Sequence, residues 1–121
     1  MHKVLIADDD FISLEVLKAM LDHYPLDLVI ANDGPQALAL AQEEQPELML
    51  IDYDMPEMTG ADVCRALRKD PEFQDVAIVA LTGHQSLAEL NACRMAGMNE
   101  TLHKPVSPDE LHRVMQEYLS L

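Results

Sequence analysis

The sequence feature that most constrains the fold is a regular alternation between short apolar segments and segments with helical periodicity. Runs rich in Val, Ile and Leu predict buried strands at residues 3–7, 26–31, 47–51 and 76–81, with a shorter fifth strand at 101–103. Each run is followed by a helical pattern. Such alternation with short links requires parallel strands joined by right-handed crossovers. The sequence therefore predicts an α/β fold, a doubly wound five-stranded parallel sheet with helices on both faces, as one domain over residues 1–121.

Residues that favour helix ends place the predicted helices between these strands. A hydroxyl residue followed three positions later by an acidic residue predicts a capping box, and this spacing occurs at 59–62, 86–89 and 107–110. Asp10 is the predicted N-cap of a first helix over residues 11–23, and Gly97 suits the position after the fourth helix. The apolar positions predicted for the first helix are Ile12, Val16 and Ala19, with Leu14, Leu17 and Leu21 beside them.

The strongly acidic composition limits the partners that the chain can bind. Its 22 acidic and 8 basic residues give a formal charge of −14. A surface of that charge repels nucleic acid and anionic membranes, so neither is an expected partner. The charge favours a cation, or a protein with a basic patch.

The two cysteines and the hydropathy of the chain indicate a cytoplasmic protein. Cys64 and Cys93 lie in helical segments with apolar periodicity, which favours small buried thiols over a disulfide or a metal site. No apolar run is long enough to span a bilayer, and the short apolar stretch near Met1 does not suit a signal peptide. We therefore expect a cytoplasmic location.

Carboxylates, a hydroxyl and an ammonium group follow the predicted strands at one edge of the sheet. The first strand leads into the acidic run 8–10, the third into Asp52 and Asp54, the fourth into Thr82 and the fifth into Lys104. Open parallel sheets bind their ligands beyond the carboxyl ends of the strands. Two carboxylates about 4–5 Å apart repel each other by roughly 3–4 kcal/mol at an effective dielectric near 20. A proton or a divalent cation is needed to relieve that repulsion.

The chemistry of this residue set favours a phosphoryl group held beside a divalent cation. Oxygen ligands with open coordination positions suit Mg²⁺ or Mn²⁺, which often bind a phosphoryl group as well. Lys104 supplies a point charge for a phosphate oxygen, Thr82 supplies a neutral hydrogen-bond donor, and a carboxylate is available as nucleophile. An acidic run alone is usually a polar loop with an N-cap, so the prediction depends on the agreement of four strand ends in one topology.

Four separated motifs resemble those of response regulator receiver domains, the phosphoacceptor modules of two-component signalling. The most specific is Leu-Ile-Asp-Tyr-Asp-Met-Pro-Glu-Met-Thr-Gly at residues 50–60. The others are Val-Leu-Ile-Ala-Asp-Asp-Asp at 4–10, Val-Ala-Leu-Thr at 79–82 and Leu-His-Lys-Pro at 102–105. The resemblance covers essentially the whole chain. It implies a flavodoxin-like fold and Mg²⁺-dependent transfer of a phosphoryl group from a phosphohistidine of a partner protein.

The resemblance implies a phosphoacceptor and a set of metal ligands at the matching positions. Asp52 would accept the phosphoryl group. Asp9 and Asp52 would bind Mg²⁺ (or Mn²⁺) directly, the backbone carbonyl of Asp54 would be a third protein ligand, and Asp8 would act through water.

The resemblance also implies residues that bind the phosphoryl group and transmit its presence. Thr82 and Lys104 would bind oxygens of the acyl phosphate, and the peptide bond before Pro105 would be cis. Movement of Thr82 would couple the site to a partner-binding face formed by the fourth helix, the fifth strand and the fifth helix.

The sequence departs from the family pattern near the switch. Thr101 stands where the family usually has Tyr or Phe, so a buried-to-exposed aromatic switch is not expected, and signalling would rely on Thr82 and loop movement. Gly83 stands where Ala is commoner, which would loosen the loop. Asp54 and His84 occupy positions that tune the lifetime of the acyl phosphate in the family. A contact between them would guard the site from water, and a solvated His84 is the alternative.

The resemblance implies a signalling module that is not a turnover enzyme, although it would catalyse its own phosphotransfer and slow autodephosphorylation. The expected partners are a sensor histidine kinase or a histidine phosphotransfer protein, and an unidentified output protein. We expect a monomer, or a weak dimer through the helix-four to helix-five face. The chain is expected to be either a stand-alone receiver or one from a larger protein such as a hybrid histidine kinase.

Two other functions are compatible with parts of the sequence. The run Asp52-Tyr53-Asp54 resembles the nucleophile motif of haloacid-dehalogenase-like phosphatases. In those enzymes the motif follows the first strand and a second acidic pair comes late, and 121 residues leave no room for a cap domain. The second alternative is a degenerate receiver that only binds. All five key side chains argue against it, whereas Thr101 keeps it open.

Overall fold

The computed structural model describes all residues from 1 to 121 and contains one five-stranded parallel sheet. The strands are β1 (His2–Ala7), β2 (Leu26–Ala31), β3 (Leu48–Asp52), β4 (Ala77–Thr82) and β5 (Glu100–His103). The helices are α1 (Phe11–Leu21), α2 (Gly34–Glu44), α3 (Gly60–Arg68), α4 (Leu87–Ala96) and α5 (Pro108–Leu119), with a 3₁₀ turn at Pro71–Phe73. The strand order is β2-β1-β3-β4-β5. The predicted doubly wound α/β fold is confirmed.

Helices cover both faces of the sheet, and each face has its own apolar core. On one face α1 and α5 pack against the strands through fully buried side chains that include Leu21, Leu111 and Met115. On the other face α2, α3 and α4 pack through residues such as Ala37 and Leu67. Full burial of a Leu or Met side chain contributes about 1.5–3 kcal/mol to folding. None of these helices has the length and apolar character that crossing a membrane requires.

The strands β3 and β4 each end one residue later than their apolar patterns indicate. The sequence prediction ended them at Ile51 and Leu81, whereas the structure includes Asp52 and Thr82 as their last residues. Asp52 lies opposite Leu81, and Thr82 lies opposite His103, in the parallel ladder. Apolar periodicity does not detect this extension, because the ladder is formed by backbone groups. The backbone of both polar residues is therefore held in the sheet itself.

The helix α1 buries a different stripe from the one that the sequence emphasised, and it ends at Leu21 instead of residue 23. Its buried side chains are Leu14, Leu17 and Leu21. Ile12 is 70% exposed and Val16 is 54% exposed, and Ala19 is exposed as well. Because apolar residues surround most of this helix, periodicity alone does not identify the stripe that faces the sheet. The remaining apolar strip lies on the surface.

Helix capping follows the sequence prediction only in part. Asp10 caps α1, as predicted, and accepts a hydrogen bond from the Ile12 backbone. The capping box of Thr59 and Asp62 is complete, with both hydrogen bonds at 3.1 Å. At α4 and α5 the N-cap serine accepts a hydrogen bond from the backbone of the N3 glutamate, but the glutamate carboxylate does not return one. The boxes predicted at 86–89 and 107–110 are therefore half formed.

The two cysteines are core residues. Cys64 and Cys93 are free and buried, as predicted. The Cys64 thiol donates a hydrogen bond to the Ala96 carbonyl at 3.3 Å. Burial raises the pKa of both thiols, which disfavours the reactive thiolate.

Candidate functional site

Three carboxylates meet at the carboxyl edge of the sheet. Asp8 follows β1 and Asp52 ends β3, and the two residues are only 4% and 6% exposed. Asp9 is exposed beside them. One carboxylate oxygen from each of the three residues lies within 4.8 Å of the others. The structure thus brings together the three side chains that the sequence proposed as a cation site.

A lysine ammonium group bridges the two buried carboxylates. Lys104 follows β5, and its Nζ donates to Asp8 Oδ2 at 2.7 Å and lies 3.1 Å from Asp52 Oδ1. The Lys104 backbone N–H donates to the Thr82 carbonyl at 2.8 Å, which ties the residue to the end of β4. The Lys104–Pro105 peptide bond is cis, as the resemblance implied. The ends of β1, β3 and β5 therefore present one ammonium group and two carboxylates to the same point.

Burial and charge shift the pKa of both members of the central pair. Burial and the neighbouring Asp8 charge raise the pKa of Asp52 to about 7, although Lys104 opposes this shift. Burial alone would lower the pKa of Lys104, but its hydrogen bond to Asp8 and the charge of Asp52 outweigh burial and raise it. Lys104 is therefore a permanent cation at this site, and the surroundings of Asp52 hold an excess of negative charge.

The backbone after Asp52 is packed closely against α3. A Cβ atom on Gly60 would lie 2.8 Å from the Asp52 carbonyl oxygen, so any side chain there would displace the end of β3. The Gly60 N–H donates to the Tyr53 carbonyl at 3.0 Å, and the Tyr53 N–H donates to the Leu81 carbonyl at 2.8 Å. These contacts hold Asp52 between the sheet and the start of α3.

Thr82 lies at the edge of the site, with its hydroxyl turned towards α4. The residue is 1% exposed. Its Oγ1 lies 2.6 Å from the His84 carbonyl oxygen and 2.8 Å from Glu89 Oε2, and it accepts a hydrogen bond from the His84 N–H at 3.1 Å. Sequence reasoning assigned Glu89 only to a helix cap, since nothing in a linear motif indicates a contact seven residues back.

The remaining residues proposed from the sequence lie around the site without joining the carboxylate cluster. Asp54 and His84 are both exposed, and no hydrogen bond or ion pair joins their side chains. Thr101 is half-buried in β5, opposite Ala80. A Cβ atom at Gly83 would meet nothing within 4 Å, so this glycine is not required by close packing.

An apolar groove leads from the carboxylates along α1. It has a volume of about 300 Å³. Its polar end is formed by Asp8 and Lys104, and its apolar walls include Ile12, Val16 and Val106. The exposed side chains of Ile12 and Val16 on α1 therefore form one wall of a groove that opens on the candidate site.

The chain belongs to the response regulator receiver family, because the family model described as a response regulator receiver domain matches residues 4–116. Receiver domains of two-component systems accept a phosphoryl group, and they interact with histidine kinases and output domains. A signalling role that is not enzymatic is consistent with this family.

Curated relatives share this region at moderate identity. An uncharacterized 14.6 kDa protein of Leptolyngbya boryana is 33% identical over 115 residues, which make up 95% of this chain and 88% of that protein. The DNA-binding response regulator MtrA of Mycobacterium tuberculosis is 36% identical over 110 residues, which make up 91% of this chain and 47% of MtrA. The chain thus spans about half the length of MtrA.

Solved structures share the whole fold. The receiver domain of sensor histidine kinase PA1611 from Pseudomonas aeruginosa, which has a magnesium ion coordinated in its active-site cleft, superposes with a TM-score of 0.90 at 28% identity. That match covers 99% of this chain and 98% of the other. Chemotaxis response regulator CheY4 of Vibrio cholerae gives a TM-score of 0.88 at 29% identity and covers 98% of each chain.

Proposed function

We propose that this receiver accepts the phosphoryl group on Asp52 from a phosphohistidine of a partner protein. The observation that carries the proposal is the buried Asp52 carboxylate with Lys104 Nζ at 3.1 Å, at the edge where Asp8 and Asp9 also converge. A nucleophile, a fixed positive charge and a set of oxygen ligands lie around one small space. Few other functions require all three together.

In the proposed reaction, a carboxylate oxygen of Asp52 attacks the phosphorus atom of the phosphohistidine. An O–P bond forms, the P–N bond breaks, and the imidazole of the partner leaves and takes up a proton. Lys104 binds an oxygen of the transferred group, and its raised pKa keeps it charged. Thr82 donates its hydroxyl to another oxygen. The domain acts on its own side chain, and slow hydrolysis of the acyl phosphate returns it to the starting state.

The residues present fit a divalent cation such as Mg²⁺ or Mn²⁺. Three carboxylates meet a single ammonium group, so negative charge is in excess, and all the available ligand atoms are oxygen. Asp9 and Asp52 would bind the cation directly, with the Asp54 carbonyl as a third ligand and Asp8 acting through water. When bound, the cation would offset the charge between Asp52 and the incoming phosphoryl oxygens.

The partner that donates the phosphoryl group would dock on the groove beside α1. Phosphotransfer requires the donor histidine to reach Asp52, and this groove has Asp8 and Lys104 at its inner end. Its wall on α1 carries Ile12, which is 70% exposed, and Val16, which is 54% exposed. Apolar side chains exposed beside a reactive centre are typical of a protein contact. A helical surface with complementary apolar side chains fits this groove.

The output partner would bind the face formed by α4, β5 and α5 when Asp52 is phosphorylated. The exposed side chains of Leu87 and Met95 on α4 give this face apolar contacts. The same face would support a weak dimer. The free thiols of Cys64 and Cys93 suit a reducing compartment, which supports a cytoplasmic location.

The proposal is tested by intact-mass spectrometry after incubation with acetyl phosphate. We expect one phosphoryl adduct on the wild-type chain in the presence of Mg²⁺ and none when EDTA is added. Asp52→Asn should give no adduct, whereas the matched control Asp54→Asn changes an exposed carboxylate two residues away and should still be phosphorylated. An adduct of equal yield on Asp52→Asn would contradict the proposal.

A further inference from the structure

Glu89 makes a contact that its position in α4 does not require. As the N3 residue it lies where a capping box would use its carboxylate, yet Oε2 accepts a hydrogen bond from Thr82 Oγ1 at 2.8 Å instead. Glu110 has the same position in α5, also after a serine N-cap, and its carboxylate makes no hydrogen bond. Helix capping therefore does not explain the contact between Glu89 and Thr82.

The Thr82 hydroxyl that contacts Glu89 is the same group that donates to a phosphoryl oxygen in the proposed reaction. Thr82 has one hydroxyl proton, and the two acceptors within reach, the His84 carbonyl and the Glu89 carboxylate, both lie on the α4 side of β4. A carboxylate is the stronger acceptor of the two. No hydrogen bond joins the Thr82 hydroxyl to Asp8, Asp52 or Lys104. The hydroxyl must therefore leave Glu89 before it can donate to a phosphoryl oxygen.

The surroundings of Glu89 show where its carboxylate lies. Burial is the main cause of the raised pKa of the Tyr53 hydroxyl and of the Cys93 thiol, and the charge of Glu89 adds to both. The carboxylate is therefore near Tyr53, Cys93 and Thr82, on the inner side of the first turn of α4. The adjacent strand β5 carries the small side chain of Thr101, so this strand contributes no aromatic ring to the region.

We propose that Glu89 is a positioning residue that holds the Thr82 hydroxyl away from the site until Asp52 is phosphorylated. This inference rests on the proposed function. When the phosphoryl group arrives, the Thr82 proton is donated to a phosphoryl oxygen in place of Glu89 Oε2. The freed Glu89 carboxylate then turns to solvent and changes the surface of the first turn of α4. Glu89 thereby links the site to the output face in a chain with threonine at position 101.

The test measures the affinity of the Mg²⁺-loaded protein for beryllofluoride, which mimics the phosphoryl group on a carboxylate. Glu89→Ala removes the competing acceptor and should tighten beryllofluoride binding about 3- to 10-fold, the range expected for one hydrogen bond. Glu110 is the N3 residue of α5, so Glu110→Ala removes one negative charge from the equivalent position of another helix. This control variant should leave the affinity for beryllofluoride unchanged within about 2-fold. Glu89→Gln keeps the size of the side chain and should tighten binding in the same direction by less.

Repeating the affinity measurement in the Thr82→Ala variant separates the proposed contact between Glu89 and Thr82 from a general effect of the Glu89 charge. In Thr82→Ala the hydroxyl is absent, so adding Glu89→Ala should change the affinity by less than about 2-fold. Equal tightening in both backgrounds would overturn the proposal, since it would indicate simple repulsion between Glu89 and the anion. Unchanged affinity in Glu89→Ala and Glu89→Gln would overturn it as well. Failure of the wild-type chain to bind beryllofluoride would instead contradict the proposed function.

Hydrogen exchange gives an independent readout at the output face. Beryllofluoride should increase amide exchange in the first turn of α4 of the wild-type protein, because that turn loses its contact with β4. Glu89→Ala should show the faster exchange before beryllofluoride is added. The four states to compare are the wild type and Glu89→Ala, each with and without beryllofluoride. Equal exchange rates in the first turn of α4 in all four would overturn the proposal.

Discussion

At Asp52, a carboxylate that must be ionised to act as a nucleophile is held where burial and the charge of Asp8 favour its protonated form. The pKa of about 7 in the folded protein lies above the value of 3.8 expected for an unperturbed aspartate. Stability from this group is therefore fully present below pH 3.8 and is lost as the pH rises through about 7. In the absence of a cation, the ionised Asp52 carboxylate that the proposed reaction needs therefore lowers the stability of the fold.

We predict that Asp52→Asn stabilises the cation-free protein at pH 8 by about 1–3 kcal/mol, because the amide removes a buried charge while Lys104 keeps its partner Asp8. The gain should shrink towards pH 4, where the wild-type carboxyl is protonated. Thermal melts in EDTA across this pH range measure it, with Asp54→Asn as the exposed control. A lower melting temperature for Asp52→Asn at pH 8, or a gain independent of pH, would count against this description.

The residues of the site differ in how well their roles follow from sequence. Asp8, Asp52 and Lys104 could be proposed because each comes at the end of a strand, and parallel strands bring such ends together. Glu89 could not, because its backbone position satisfies a capping pattern and only the folded structure turns its carboxylate towards Thr82. Short-range patterns define backbone positions better than side-chain directions.

At the scale of elements, α1 combines a structural face and an exposed apolar strip. Its buried leucines hold it to the sheet, while Ile12 and Val16 remain exposed along a groove that ends at the site. The sequence predicted the helix, yet it did not distinguish the two apolar stripes, because both recur at helical spacing. The packing of α1 against the sheet and α5 determines which stripe is covered.

We predict that the double variant Ile12→Ser/Val16→Ser slows phosphotransfer from a histidine phosphotransfer protein by about 10-fold, because apolar contacts with the donor are lost. Phosphorylation by acetyl phosphate should be unchanged, since this small donor does not need the groove. Met95→Ser, which changes an 80% exposed residue on α4, is the control. Equal transfer rates for the wild type and the double variant would exclude the α1 groove as the docking surface.

At the scale of the whole molecule, the alternation of strands and helices was sufficient to predict a parallel sheet with helices on both faces. The strand order and register were not predictable in the same way, because they depend on pairing between distant segments. That register includes Asp52 and Thr82 in the ladder, which the apolar pattern had assigned to loops. The formal charge of −14 produces a general repulsion between negative charges across the molecule, and the carboxylate cluster adds to this repulsion locally.

We predict that Mg²⁺ raises the melting temperature of the whole domain, because binding to the folded state alone contributes about 1.4 kcal/mol at ten times the dissociation constant. NaCl at matched ionic strength should give a smaller effect, since it only screens the surface charge. Asp9→Asn should lose most of the Mg²⁺-specific increase. A wild-type melting temperature that responds equally to both salts would argue against a cation site at Asp8, Asp9 and Asp52.

The most direct test of the central claim locates the phosphoryl group in the sequence. After phosphotransfer in Mg²⁺, borohydride reduces an aspartyl phosphate to homoserine, and peptide mass spectrometry identifies the altered residue. We predict that homoserine forms only at position 52 and that Asp8, Asp9 and Asp54 are unchanged. Homoserine at one of those three positions, or phosphate recovered on a residue outside the carboxylate cluster, would contradict the assignment of Asp52 as the phosphoacceptor.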